Sequence, residues 1–287
     1  MKLVNAKYLC DQAADQGFGV PALNNNGGSY DIGRAIIEAS EELQSPLIIQ
    51  CYEPNLEYCG YDFAGTLIKF LAANTTIPMA IALDHGKTPE SVFRAVRAGF
   101  THVMIDYADQ SLEKNVRGTR EIISLVRPLG ISVEAEIGHI IKSSDASGQR
   151  AATVSVAEAK EFTSQVDVDL LAVAVGTTHG IFKEQTGMDF KLMSQIHSAV
   201  KPPLVLHGTC GISMADISKS VKAGMTKINF GEGLRMNYIR YFNEFSQTLN
   251  HEHHVWRIAR AAKDRLKEDI KEIIRAVGSE GKAAVFK

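Results

Sequence analysis

Eight short apolar runs recur along the chain, at residues 19–23, 47–50, 79–83, 102–105, 132–137, 170–175, 204–206 and 227–230. Each is short and largely apolar, as expected of a strand covered on both sides. Helix patterns fall between them, at 31–44, from Thr88 onward, and at 111–127, 156–165, 190–200 and 213–223. Thr88 stands as an N-cap before Pro89 at the first helical position. Gly99 and Gly224 fall where helices hand over to strands, a common use of glycine at C-caps. Eight strand–helix units in series predict an α/β fold with a parallel sheet. An open doubly wound sheet would read similarly, but the count of eight favours closure into a (β/α)8 TIM barrel. The tail at 233–277 has a helical pattern rich in charge. It predicts extra C-terminal helices packed on the outside or against a partner subunit. No linker or low-complexity tract divides the chain, so residues 1–287 read as one domain.

Composition narrows the function classes. The 287 residues carry 45% hydrophobic and 22% charged side chains, ordinary for one globular domain with a large core. A net charge of −2 excludes a nucleic-acid or anionic-membrane partner driven by bulk electrostatics. Cys10, Cys51, Cys59 and Cys210 show no C-x-x-C spacing and read as reduced thiols. The first residues, MKLVNAKYLCDQAADQ, contain no long apolar run. Neither a signal peptide nor a membrane span is expected, which favours the cytoplasm.

In such a barrel the active site lies at the C-terminal ends of the strands. The third strand ends in IALDHG, with Asp84 and His85. The fourth ends in VMIDYA, with Asp106, and the fifth is SVEAEIG, with Glu134 and Glu136. The sixth ends in AVGTTHG, with His179, and the seventh in LVLHG, with His207. The eighth ends in KINFGEG, with Asn229 and Glu232. Three histidines at three strand ends could converge on one point, and three imidazoles with an open position are the pattern of a catalytic zinc site. Zn2+ is the expected cofactor, although three imidazoles suit other divalent metals. Asp84 is placed to act as acid or base on a substrate oxygen. Glu136 and Asp106 are candidates for a second metal position or for orienting a histidine. Two carboxylates on one face of a strand, Glu134 and Glu136, need partners, because unpaired buried charge is costly. Gly176, Gly180, Gly208, Gly211, Gly231 and Gly233 cluster after the last three strands, and such barrels often hold phosphate in the loops after the seventh and eighth. Elsewhere, His251, Glu252, His253 and His254 read as an exposed helix start. Trp256 is expected to pack the C-terminal helices, and Cys51 and Cys59, after the second strand, to line the pocket with no chemistry implied.

The set LDHG, SVEAEIG, AVGTTHG, LVLHG and KIN, in this order and spacing, resembles the class II fructose-bisphosphate and tagatose-bisphosphate aldolases. The resemblance runs from VPALN of the first strand to the C-terminal helices. It implies a zinc ion held by His85, His179 and His207, with Asp84 as the catalytic aspartate. It implies that Asn24 and Asn229 contact substrate, and that Glu136 and Asp106 lie near a mobile or second metal position. It implies retro-aldol chemistry through an enediolate and a homodimer or homotetramer. The substrate is then a sugar or sugar phosphate and no Schiff-base lysine is needed, so Lys183 and Lys227 are not nucleophiles.

Several positions depart from the family pattern. Gly86 stands where a second histidine is usual, and Tyr107 and Ala108 where a Gly-Ser pair is usual. The loop after Glu136 reads HIIKSSDASG and lacks the usual acidic motif, unless Asp145 substitutes. The phosphate cradle has Cys210 in place of a serine, flanked by Gly208 and Gly211. After Asn229 it carries Gly231 and Glu232 in place of an Ala-Thr pair. A lone carboxylate beside a phosphate is repulsive, by roughly several kcal/mol at ~4 Å when desolvated. These changes suggest a ketose lacking the usual C1 phosphate, or one with a different polar group, unless Glu232 points to solvent or pairs with Arg235. A metal-dependent epimerase or isomerase, or a non-catalytic aldolase-like subunit, are the competing readings.

Overall fold

The computed structural model describes residues 2–138, 153–178, 187–248 and 254–286. A two-residue strand β1 (Lys2–Leu3) leads into α1 (Ala6–Gln16). There follow β2 (Val20–Asn24), α2 (Tyr30–Glu42), β3 (Leu47–Tyr52), α3 (Glu53–Cys59), α4 (Tyr61–Leu71), β4 (Pro78–Gly86), α5 (Pro89–Arg97) and β5 (His102–Ile105). The second half continues with α6 (Leu112–Val126), β6 (Ser132–Ile137), α7 (Val156–Gln165), β7 (Leu170–Val173), α8 (Phe190–His197) and β8 (Leu204–Leu206). It closes with α9 (Met214–Lys222), β9 (Met225–Phe230), α10 (Glu232–Thr248) and α11 (Val255–Ala276). Strands β2 to β9 pair in chain order, all parallel, and β2 pairs with β9, so the sheet is a closed eight-stranded TIM barrel. The expected closure is therefore found, and β1 adds only a short flange on β4. The eight expected strands correspond to β2–β9. The sequence pattern did not reveal α1, α3 or α4.

Alternation along each strand sorts the side chains into two layers. Outward residues such as Leu23, Ile49, Ile81, Val103, Val133, Leu171 and Ile228 pack with the helices in one apolar layer. Inward residues Val20, Ala22, Ile48, Ala80, Ala82, Leu170, Ala172 and Val205 form a second, smaller cluster with Ala6, Leu9, Cys10 and Ala13 of α1. Helix α1 contacts β2, β4, β6 and β9, strands spread around the ring, and so stoppers the N-terminal mouth. Small alanines inside leave room for this plug. The opposite mouth is lined by polar side chains.

Helix starts follow local chemistry. Thr88 caps α5 through a hydrogen bond from the Ser91 N–H at 3.1 Å, as expected. Ser29, Ser111, Ser155 and Ser213 cap α2, α6, α7 and α9 in the same way. The C-terminal helix α11 packs along α2. Lys263 meets Glu38 at 2.5 Å, while Lys267 and Lys271 meet Glu42 at 2.6 and 2.5 Å. Trp256 does not pack the C-terminal helices: it is 57% exposed, and Arg257 lies over its ring. At the first turn of α11 it sits on the helix face turned from the core. His254 is the exposed residue preceding α11, as expected of a helix start, and His251, Glu252 and His253 lie outside the described residues.

Candidate active site and metal centre

The end of β4 departs from regular strand geometry. Ala80, Ala82 and Asp84 follow one inward face by period two, which would turn His85 outward. Instead His85 has φ +54°, in the left-handed region, and the pairing with β5 shifts register between Leu83 and Gly86. The local bend brings both Asp84 and His85 to the barrel mouth. Gly86 follows from packing: a Cβ there would lie 2.7 Å from both the Met104 carbonyl oxygen and a Leu83 methyl.

His85 Nε2 faces His207 Nδ1 at 3.0 Å, across the mouth from β8. The far nitrogen of each ring meets a carboxylate. Asp106 Oδ2 lies 2.7 Å from His85 Nδ1, and Glu134 Oε1 lies 2.9 Å from His207 Nε2. A carboxylate only accepts, so it draws the ring proton to its own side. In neutral rings the two facing nitrogens then both present lone pairs, a repulsive arrangement unless a proton or a metal cation lies between them. Asp84 joins His85 and His207 in one cluster of candidate ligand atoms, and His85, Asp106 and Glu136 form a second. The donor set therefore fits a divalent ion such as zinc. Asp84 Oδ2 accepts from Asn24 Nδ2 at 3.0 Å, while Asp84 Oδ1 and Glu136 Oε2 are buried with no hydrogen-bond partner. Orphaned carboxylate oxygens aimed into a mouth are what a metal or substrate would satisfy.

The charges are strongly coupled. Burial disfavours a proton on His85, but the carboxylates of Asp84, Asp106 and Glu136 outweigh it and push the pKa up to about 9. Burial, with repulsion from Asp106 and Glu134, pushes Glu136 up to about 8 against the pull of His85. Asp106 is held far below the usual range despite burial, because His85 and Lys87 both bond it, Lys87 at 2.7 Å. Burial and the neighbouring His85 lower His207 against the pull of Glu134.

Of the remaining expected residues, three fall outside the described part of the chain. His179 and Gly180 lie outside the described residues, as does Asp145. Gly208, among the described residues, has φ +69°, and a Cβ there would come within 2.8 Å of the Thr178 carbonyl oxygen. That glycine lets the loop after β8 lie directly against Thr178. Asn229 is buried, with Nδ2 at 3.0 Å from His207 Nε2. Gly231 faces the Asn24 side chain, where a Cβ would have ordinary contact at 3.5 Å. Gly211 adopts φ +78° beside half-buried Cys210. Glu232 is not a lone carboxylate, for Arg235 Nη2 lies 3.0 Å from its Oε1. Cys51 belongs to the outer apolar layer, so it does not line the pocket, and Cys59 packs near the Gly28 turn.

Two residues at the mouth escaped sequence reading. Gln50 pairs in register with Asn24, is 2% exposed, and has an unpartnered Oε1. Tyr52 pairs in register with Asp84 and packs edge-on to the His85 ring at 6.0 Å. The signal was available: Ile48, Gln50 and Tyr52 continue one inward face by period two. The polar partners of Glu134 were also missed. Lys227 Nζ lies 2.9 Å from its Oε2, and His102 Nε2 lies 3.1 Å from the same atom.

Comparison with known proteins agrees with this geometry. The family model described as fructose-bisphosphate aldolase class-II matches residues 4–282. A sulfofructosephosphate aldolase of Alkalicoccus urumqiensis is 31% identical over the full length of both chains. A probable fructose-bisphosphate aldolase of Bacillus subtilis is 32% identical, over 99% of this chain and 100% of its own. Among solved structures, the YdjI aldolase of Escherichia coli K12 superimposes with a TM-score of 0.87 at 28% identity, covering 98% of this chain and 99% of that one. The inward geometry at the mouth and these likenesses lead to one assignment: the chain belongs to the class-II fructose-bisphosphate aldolase family, aldehyde-lyases built on a TIM barrel.

Proposed function

We propose that this protein cleaves and forms a ketose phosphate by reversible aldol chemistry, using a divalent metal, zinc first among the candidates. The observation that carries the reading is the pair of imidazole nitrogens facing each other at 3.0 Å, each backed by a carboxylate, with Asp84 beside them. His85 and His207 would hold the ion, and His179 is the proposed third ligand. When bound, such an ion supplies Lewis-acid polarisation of the ketone and offsets the negative charge that develops on its oxygen.

The chain's own groups would do the rest. Asp84, held by Asn24 through one oxygen, keeps its other oxygen for the substrate hydroxyl. In cleavage it would take the proton from that hydroxyl as the C–C bond breaks, and return it to the aldehyde oxygen in synthesis. Asn229 and Gln50 offer amide groups to the substrate's oxygens. The Gly208–Gly211 and Gly231–Glu232 loops would receive its C1 end.

The charge at that end bears on the substrate. With Glu232 paired to Arg235, an anionic C1 group would meet a neutral ion pair, and the repulsion expected from a lone carboxylate is offset. The relatives' names also carry phosphorylated ketoses. Both points favour a phosphorylated substrate over the unphosphorylated ketose that the sequence suggested. The test is a retro-aldol assay on paired ketoses and their phosphates, after chelation and with metals restored. Two carbonyl fragments released only with metal, and faster from phosphates, is the expected result. Conversion without fragments would assign an epimerase or isomerase, and no conversion of any ketose would leave a non-catalytic subunit.

A further inference from the structure

Deep in the barrel, below the facing histidines, lies a set of polar side chains that the proposed chemistry does not use. Ser132, His102, Glu134 and Lys227 are each at most 2% exposed. They form a continuous column. At its base the Ala6 and Lys7 N–H groups, which open α1, donate to Ser132 Oγ at 3.1 and 3.4 Å. With both lone pairs engaged, the hydroxyl has only its proton left to give, and His102 Nδ1 accepts it at 2.8 Å. His102 Nε2 therefore carries the ring proton and donates to Glu134 Oε2 at 3.1 Å. Lys227 donates to the same oxygen at 2.9 Å and to Asn229 Oδ1 at 2.8 Å. Glu134 Oε1 takes the proton side of His207, Nε2, at 2.9 Å. Nδ1 of His207 is left with its lone pair toward His85.

We propose that His102 and Lys227 are positioning residues for the metal centre: through Glu134 they fix the tautomer and aim of His207, and Lys227 also fixes the Asn229 amide. The inference rests on the reading that His207 holds a divalent ion through Nδ1. The links to Ser132 and Glu134 each have one permitted polarity, because a reversal would set donor against donor at Ser132 or lone pair against lone pair at the carboxylate. The Asn229 Nδ2 donor, 3.0 Å from His207 Nε2, opposes this polarity, but the charge-assisted bond to Glu134 is the stronger. Lys227 supplies the positive charge that offsets Glu134, so the carboxylate can stand behind a ligand without drawing the ring out of place. One ammonium thus couples the metal side of the site to the substrate side.

The test uses the full-length enzyme. Zinc affinity is measured by competition with a chromogenic chelator, and the His207 tautomer of zinc-free protein by imidazole 15N NMR. His102→Leu and Lys227→Met are each expected to weaken zinc binding about 10–100-fold, the usual range for groups that orient a ligand. His102→Gln should stay within a few-fold of wild type, because its amide oxygen can accept from Ser132 while its nitrogen donates to Glu134. Equal losses in the Leu and Gln variants, or unchanged zinc affinity in folded Leu and Met variants, would overturn the column. Should those variants fail to fold, the wild-type spectrum decides: a proton on Nε2 supports the inference and a proton on Nδ1 overturns it. A wild type that binds no zinc overturns the metal reading itself, an outcome distinct from a wild type that binds zinc beside unaffected variants.

Discussion

Asp84 and His85 are chain neighbours with separable proposed tasks. Asp84→Asn keeps a side chain of the same size but cannot take a proton, so kcat should fall about 10²–10⁴-fold. Its zinc affinity, followed by chelator competition, should change only a few-fold. A loss of metal with the activity would move Asp84 into the ligand set. His85 gives a pH dependence. Its three carboxylate neighbours hold it protonated up to about 9 in the metal-free protein, and a metal needs the neutral ring. Below that value zinc binding should release a proton, and affinity should fall by about tenfold per pH unit. Calorimetry in buffers of different ionisation enthalpy would count the proton. That Asp84, His85 and His207 meet at the mouth was legible because chemistry-bearing residues stood at strand ends. The bend that turns His85 inward was not, because a left-handed histidine leaves no mark in the residue pattern.

At the level of elements, strands were easier to read than helices. Each buried strand is a short apolar run with glycine or a polar residue at its end, whereas α1, α3 and α4 lie close to strands and to one another and blur the period. Helix α1 was harder still, because it plugs the barrel rather than covering it and comes before the first barrel strand, so no strand–helix unit announces it. Gln50 and Tyr52 show the same limit, since period two placed them inward but neither belongs to a familiar metal or acid motif. The α2–α11 ladder gives a stability prediction. Burial opposes ionisation of Glu38, but bonds from Lys263 and Arg34 outweigh it and lower its pKa below the ordinary 4.5. A depressed carboxylate contributes stability above its unfolded value and loses it as pH falls through its folded one. Glu38→Gln should therefore cost about 1 kcal/mol or less at neutral pH, discounted for partial exposure. In urea unfolding that difference should close as pH drops below 4.5.

Across the whole molecule, the apolar layer between barrel and helices and the α1 plug hold the fold without help from the mouth. Chelation should leave the far-ultraviolet dichroism intact. Zinc at a hundredfold excess over its dissociation constant should add about 2.7 kcal/mol, which for a domain of this size raises Tm by roughly 5–11 °C. An unchanged Tm would argue against a bound metal in the folded state. The placement of the two histidines has a mechanical side. Counting around the closed ring, β4 and β8 stand four strands apart in either direction, so they face each other across its diameter. An ion shared by His85 and His207 would join positions 122 residues apart in the chain. It would act as a strut across a hoop, resisting ovalisation of the rim. Loading the metal should slow amide exchange at the upper ends of β4 and β8 together, while the plugged lower rim, already stiff, keeps its exchange rates.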